Sequence, residues 1–244
     1  HVAAVRIFTP AHEMPFAGHP TIGTAVLLGL ERAAAGLGNG KMVLVLEEKV
    51  GPIRCGVSLQ SEKLGHTIFD LPKLPSEGAE PPGKDAIAAA LNLISAEIGF
   101  ENHHATNFEA GVPYTFVPVR DLAAIAKARA NTTAWRAAFG QGGAAFLYCR
   151  EVTESGRSFH ARMFAHERGI IEDPATGSAV AAFAGVIAKF DQPPGGSHRY
   201  LIEQGFEMGR PSLINLEIDM DGGAVVEGRI GGQAVLVARG TIEI

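Results

Sequence analysis

The residues of this chain best suited to chemistry sit in two short stretches that read almost alike. They are Glu13-Met14-Pro15-Phe16-Ala17-Gly18-His19-Pro20 and Glu172-Asp173-Pro174-Ala175-Thr176-Gly177-Ser178-Ala179. Glu13 aligns with Glu172, Pro15 with Pro174 and Gly18 with Gly177; Arg6-Ile7-Phe8 precedes the first and Arg162-Met163-Phe164 the second. Each stretch opens an apolar helical run after a strand-like segment, so one strand–turn–helix unit is used twice. A helix start leaves its first N–H groups unpaired and carries partial positive charge, which suits a small anion such as a carboxylate. Two such starts aimed at one cleft would hold that anion together. The plainer reading is that Pro and Gly punctuate two ordinary helix starts.

Four side-chain types within these turns matter. Asp173 precedes a helix start, where an acid is first read as a cap. With Glu172 beside it, one of the two carboxyls could instead face a cleft, where a second acid and exclusion of water raise a pKa and allow proton shuttling. His19, followed by Pro20 in a first helical turn, is pushed toward its neutral form by the helix dipole and could donate a hydrogen bond or carry a proton. A structural histidine fits those residues equally. Gly18 and Gly177 permit close approach of backbone to a ligand, and Ser178 adds a hydroxyl at the second start. Ser178 as a nucleophile is the weaker idea, because its surroundings are not a G-x-S-x-G elbow.

The elements that must position these turns follow from hydrophobic periodicity. Helix 1 is expected from about His19 to Ala35, with Ile22, Ala25, Val26, Gly29 and Leu30 on one face. Leu27 and Leu28 make its other face apolar, so it is expected to be buried on most sides. Gly36 to Gly40 ends it. Strands are expected at Val2 to Phe8, Met42 to Glu48, Ile53 to Leu59 and Thr67 to Leu71, a loop over Pro72 to Gly83, and a helix over Lys84 to Ile98. Strands at Tyr114 to Val119, Ala144 to Arg150 and Ser158 to Phe164 follow, with helices over Asp121 to Ala130 and Thr133 to Phe139. Ser178 to Phe190 is apolar almost all round and is expected to be a central helix. The tail reads as a meander of strands at Tyr200 to Glu203, Leu213 to Asp219, Ala224 to Ile230 and Gln233 to Ile242, turning at Asp221-Gly222-Gly223 and Gly231-Gly232. Strand, helix and antiparallel strands, given twice, describe an α+β protein of two halves, residues 1–100 and 101–244.

Bulk properties narrow the function classes. At 244 residues, 46% apolar and 19% charged, the chain has ample core material. A net charge of −5 without a Lys/Arg cluster argues against nucleic acid or an anionic membrane surface as partner. The apolar runs are too short to span a bilayer. Two cysteines, Cys55 and Cys149, make no disulfide framework and fit a reducing, cytoplasmic setting. His12-Glu13 and His166-Glu167 lack the second histidine of H-E-x-x-H, and His103-His104 cannot both ligate from one helix face. No metal is expected.

Three strings in order carry a resemblance: RIFTPAHEMPFAGHPTIGTA (Arg6 to Ala25), RMFAHERGIIEDPATGSA (Arg162 to Ala179) and EQGFEMGRPS (Glu203 to Ser212). They resemble the signature regions of the PhzF-like phenazine-biosynthesis isomerases, and the similarity covers nearly the whole chain. The resemblance implies the diaminopimelate epimerase-like fold, two pseudo-symmetric halves each wrapping mixed or antiparallel strands around a central helix, with the active site between them. It implies a homodimer that uses no cofactor. It makes Asp173 and His19 catalytic positions that help move protons, and Gly18, Gly177 and Ser178 the holders of a substrate carboxylate. Two-cysteine epimerases of this fold place thiols where Ala17 and Thr176 stand, so amino-acid epimerisation is disfavoured. The family's proton-shuttling glutamate lies upstream of RIFTP, so a leading segment with that residue is expected ahead of His1. Glu13 is not its equivalent and is expected to pair with a nearby cation or cap a turn.

The expected function is therefore a cofactor-independent isomerase moving a proton within a small cyclic or unsaturated carboxylate. The alternative is a non-catalytic carboxylate-binding or interaction protein of the same fold.

Overall fold

The computed structural model describes residues 3–8, 13–38 and 40–241. The expected strand ends at Val2 and Ile242, together with His12 and Asn39, lie outside the described residues. By their contacts residues 1–70 and 231–244 form one compact unit and residues 71–230 another.

The first unit opens with three two-residue strands, β1 (Ala3–Ala4), β2 (Ile7–Phe8) and β3 (Glu13–Met14). Helix α1 (Gly18–Ala34) follows, then β4 (Lys41–Glu48), β5 (Gly51–Leu59) and β6 (Leu64–Asp70). The strand expected from Val2 to Phe8 is in fact split. Ala3 and Ala4 pair parallel with β4, while Ile7 and Phe8 form a separate antiparallel ribbon with β3. The sheet order is β1-β4-β5-β6. Ile53, Cys55 and Val57 alternate inward as their spacing predicts. They meet the face of α1 that carries Ile22, Ala25, Val26 and Leu30. The other face of α1 is not buried as expected: Leu27 is 38% exposed.

The second unit contains β7 (Ser76–Glu77), α2 (Lys84–Ala90), β8 (Thr106–Glu109), β9 (Pro113–Pro118), α3 (Leu122–Lys127) and α4 (Thr132–Phe139). It continues with β10 (Ala145–Cys149), β11 (Phe159–Ala165), β12 (Ile170–Asp173), α5 (Gly177–Phe190), β13 (Gly196–Gln204) and β14 (Ser212–Asp221). The last strand, β15 (Ala224–Val235), starts in this unit and ends in the first. The sheet runs β15-β14-β13-β11-β10-β9-β8-β7, with β12 paired to β11 beside the main path. The pairs β7–β8, β8–β9, β10–β11, β11–β12 and β13–β14 are antiparallel, whereas β9–β10 and β11–β13 are parallel.

Helix α5 is buried along nearly its whole length. Phe183 at its middle packs against Phe116, Phe146, Tyr148 and Phe159 from three strands. Burying one such ring contributes about 1.5–3 kcal/mol. Its small residues let strands come close: a Cβ on Gly185 would run into the Phe108 ring.

Two expectations are corrected here, the helix after Lys84 and the turn at Gly231-Gly232. The helix expected over Lys84 to Ile98 stops at Ala90, because Asn92 takes a left-handed φ of 53° and the chain resumes only as a single 3-10 turn at Ser95–Glu97. Ile87, Leu91 and Ile98 pack with Val117, Ile125, Trp135 and Leu147, and residues 84–100 fall within the unit of residues 71–230. Gly231-Gly232 is no turn: β15 runs straight through it and ends at Val235.

Candidate functional site

The two similar stretches fold alike at the residue level. Arg6 donates through Nε and Nη2 to the Glu13 carboxylate at 2.9 and 3.1 Å. Arg162 donates through Nε and Nη2 to Glu172 at 2.8 Å each. In each repeat an arginine, just ahead of β2 or within β11, thus grips the glutamate of the following strand with a planar two-bond fork. The first pair is largely exposed and the second buried, where the Arg162 Nη1 also donates to the Ile125 and Ala128 carbonyls. Glu13 pairs with a cation as expected. Glu172 is committed to Arg162, which leaves Asp173 as the acid of that turn available to a ligand.

Asp173 ends β12, half-buried, four residues ahead of Gly177. It does not cap α5; no side chain does. Instead the Thr176 hydroxyl, in the N-cap position, donates to Asp173 Oδ2 at 2.5 Å. Gly177 and Ser178 are buried. Ser178 Oγ shares a 2.8 Å hydrogen bond with the phenol of Tyr114, on β9. Burial, the leading cause, raises the Tyr114 pKa, which keeps it a neutral hydroxyl. The Arg168 guanidinium lies 5.8 Å from its ring.

The α1 start is built differently around the same theme. Gly18 is buried and His19 exposed, and no side chain caps this helix either. The Thr21 hydroxyl lies 2.7 Å from the Ala17 carbonyl and 2.6 Å from Glu48 Oε1. One hydroxyl proton cannot serve both acceptors. The arrangement closes when Glu48 is a neutral acid and supplies the second proton, in keeping with burial pushing its pKa up.

The capping pattern separates these two helices from the rest. Asp121 caps α3 and Asn131 caps α4 through side-chain oxygens. Helix α2 is uncapped, but Asp85 sits in its first turn. Helices α1 and α5 have neither a side-chain cap nor an acid in the first turn.

The structure groups Asp173, Gly177 and Ser178 in one turn and Gly18 and His19 in another. Sequence reasoning did not find Gln204, Tyr114, Thr21 or Glu48, which reach these turns from distant strands or a later helical turn. Both cysteines are buried, and burial first of all pushes each thiol up to about 12, so neither is a ready nucleophile. His103 is enclosed between Tyr148 and Asp191, a structural clamp. Among the described residues no group of three or more His, Cys, Asp or Glu is arranged to hold a metal ion. No helix among them is long and apolar enough to cross a membrane.

Comparison with known proteins agrees with this architecture. An uncharacterized isomerase of Mesorhizobium japonicum is 45% identical over 249 residues, covering 100% of this chain and 81% of its own. The trans-2,3-dihydro-3-hydroxyanthranilate isomerase of Pseudomonas chlororaphis is 31% identical over 241 residues, covering 98% of this chain and 79% of its own. A crystal structure of a Bacillus anthracis phenazine biosynthesis protein of the PhzF family matches with a TM-score of 0.81 at 20% identity, over 96% of this chain and 80% of that one, a likeness of fold. The sequence profile of the phenazine biosynthesis-like proteins matches residues 2–240. With that profile spanning nearly all of it, the chain belongs to the phenazine biosynthesis-like PhzF family.

Proposed function

We propose that this protein is an isomerase that moves a proton within a small cyclic or unsaturated carboxylate and needs no cofactor to do so. Asp173 takes a proton from a ring or allylic carbon and the C–H electron pair enters the conjugated system that ends in the carboxylate. A proton then returns to a different carbon, so the product is an isomer and no electron acceptor is required. The negative charge that develops on the substrate carboxylate is met by the uncapped helix starts, through the N–H groups at Gly18 and Gly177 and the Ser178 hydroxyl. His19 assists as a hydrogen-bond donor or proton carrier.

The observation that carries this reading is the Asp173 turn. A half-buried carboxyl, gripped by Thr176, stands ahead of a helix start that has no cap and no acid of its own. Such a pairing of base and anion-stabilising dipole is what a carbon-acid isomerisation requires. The relatives named as isomerases support the reaction class. The binding-only alternative has no observation of its own in its favour.

Steady-state kinetics of the full-length protein on trans-2,3-dihydro-3-hydroxyanthranilate, the compound in the Pseudomonas chlororaphis enzyme's name, tests the assignment. Asp173→Asn is expected to lower kcat at least ~10²-fold, and His19→Ala on the order of 10²-fold, with the fold intact by circular dichroism. Ser178→Ala is expected to act mainly on KM. Wild-type kinetics in Asp173→Asn would end the assignment.

A further inference from the structure

Gln204, the last residue of β13, is fully buried, and every polar atom of its side chain is committed to the Asp173–Thr176 turn. Nε2 donates to the Asp173 carbonyl at 2.7 Å and to Thr176 Oγ1 at 2.9 Å, while Oε1 accepts from the Thr176 N–H at 3.0 Å. The partners fix the amide's orientation, because the Thr176 N–H needs an acceptor and the Asp173 carbonyl needs a donor. They also fix the hydroxyl. Thr176 Oγ1 accepts from Gln204, so its single proton goes to Asp173 Oδ2. The donors therefore run one way, from Gln204 through Thr176 to the carboxylate, and Asp173 Oδ1 has no hydrogen-bond partner among the described residues.

Two further features show that this clamp is built in. Thr176 stands where a threonine hydroxyl would ordinarily cap α5, yet it turns to Asp173 instead. Gly205, next to Gln204, has a φ of 81°, and a Cβ there would sit 2.8 Å from the Pro174 carbonyl oxygen. Only glycine lets the end of β13 pass this close under the turn.

We propose that Gln204 and Thr176 are positioning residues that lock the Asp173 carboxylate in one rotamer, presenting Oδ1 to the substrate. The catalytic consequence rests on the reading of Asp173 as the proton carrier. A base misplaced by about 1 Å loses on the order of 10²-fold in rate, so the orientation matters.

The near-isosteric Thr176→Val variant removes the hydroxyl, Thr176→Ser keeps it, and Gln204→Glu keeps an acceptor for the Thr176 N–H while removing both donors. Two readouts are taken on the full-length protein: the Asp173 side-chain rotamer from NMR three-bond couplings, and kcat and KM on trans-2,3-dihydro-3-hydroxyanthranilate. Wild type and Thr176→Ser are expected to show a single rotamer. Thr176→Val and Gln204→Glu are expected to show rotamer averaging and a kcat lowered about 10- to 100-fold with KM unchanged. A single rotamer with wild-type kcat in Thr176→Val overturns the proposal, and so does averaging with unchanged kcat. If Asp173→Asn is as active as wild type, the isomerase reading fails instead, and the couplings alone decide whether the clamp exists.

Discussion

Around the Asp173 turn the residue-scale chemistry is a matter of committed protons. Beyond Gln204 and Thr176, a second buried network adjoins it: Glu203, fully buried beside Gln204, accepts from His160 Nδ1 at 2.6 Å, from the Thr153 N–H and hydroxyl, and from Arg157. The other ring nitrogen of His160 meets Glu207 at 2.9 Å. Burial would raise the Glu203 pKa, but these donors outweigh it and bring it down to about 2. His160 moves the other way: burial works against its charge, the bonds to Glu207 and Glu203 prevail, and its pKa is raised. A carboxyl depressed from 4.5 to about 2 stabilises the fold above its unfolded pKa and stops doing so as pH falls through that window. The contribution is on the order of 3 kcal/mol. Glu203→Gln is therefore expected to be less stable than wild type at pH 6 in urea titrations, with the gap closing as pH drops from about 4.5 toward 2. A gap that stays constant with pH would show that Glu203 carries no such linkage.

At the scale of elements, what could be read from sequence was what periodicity and punctuation encode. Strand β5 and helix α1 were legible because their inward residues recur at spacings of two or of three and four, and β4 and α5 because each is a near-continuous apolar run. The Asp221-Gly222-Gly223 turn was legible from its glycines, both of which take positive φ. The strand β8 was not, since Thr106 to Glu109 is too short to show alternation. The overlong helix after Lys84 followed from an apolar run in which nothing but Asn92 marks a stop. Gly231 was misread because a glycine needed for space looks the same in sequence as one needed for a turn. A Cβ there would stand 2.9 Å from the Thr67 carbonyl oxygen. Gly231→Ala is expected to push β15 from its neighbour and cost about 1–3 kcal/mol, measured as a lowered denaturation midpoint. Unchanged stability would show that the backbones can part freely. Of the candidate site, the turn residues were legible through their repetition. Gln204 was not, because a lone glutamine distant in sequence carries no signal until β13 brings it under the turn.

For the whole molecule, the strand–turn–helix unit is built twice, the family profile spans residues 2–240, and the fold likeness holds at 20% identity. Fold alone does not name a substrate, since function lives in the site. The proposed reaction turns on one chemical act, removal of a carbon-bound proton by Asp173. Deuterium incorporation from D2O into trans-2,3-dihydro-3-hydroxyanthranilate, followed by proton NMR with the full-length protein, reads that act directly. The expected result is enzyme-dependent loss of one carbon-bound proton signal with appearance of a labelled isomer, abolished in Asp173→Asn. Exchange that proceeds undiminished in Asp173→Asn, or no exchange with the wild-type protein despite measurable binding, would contradict it.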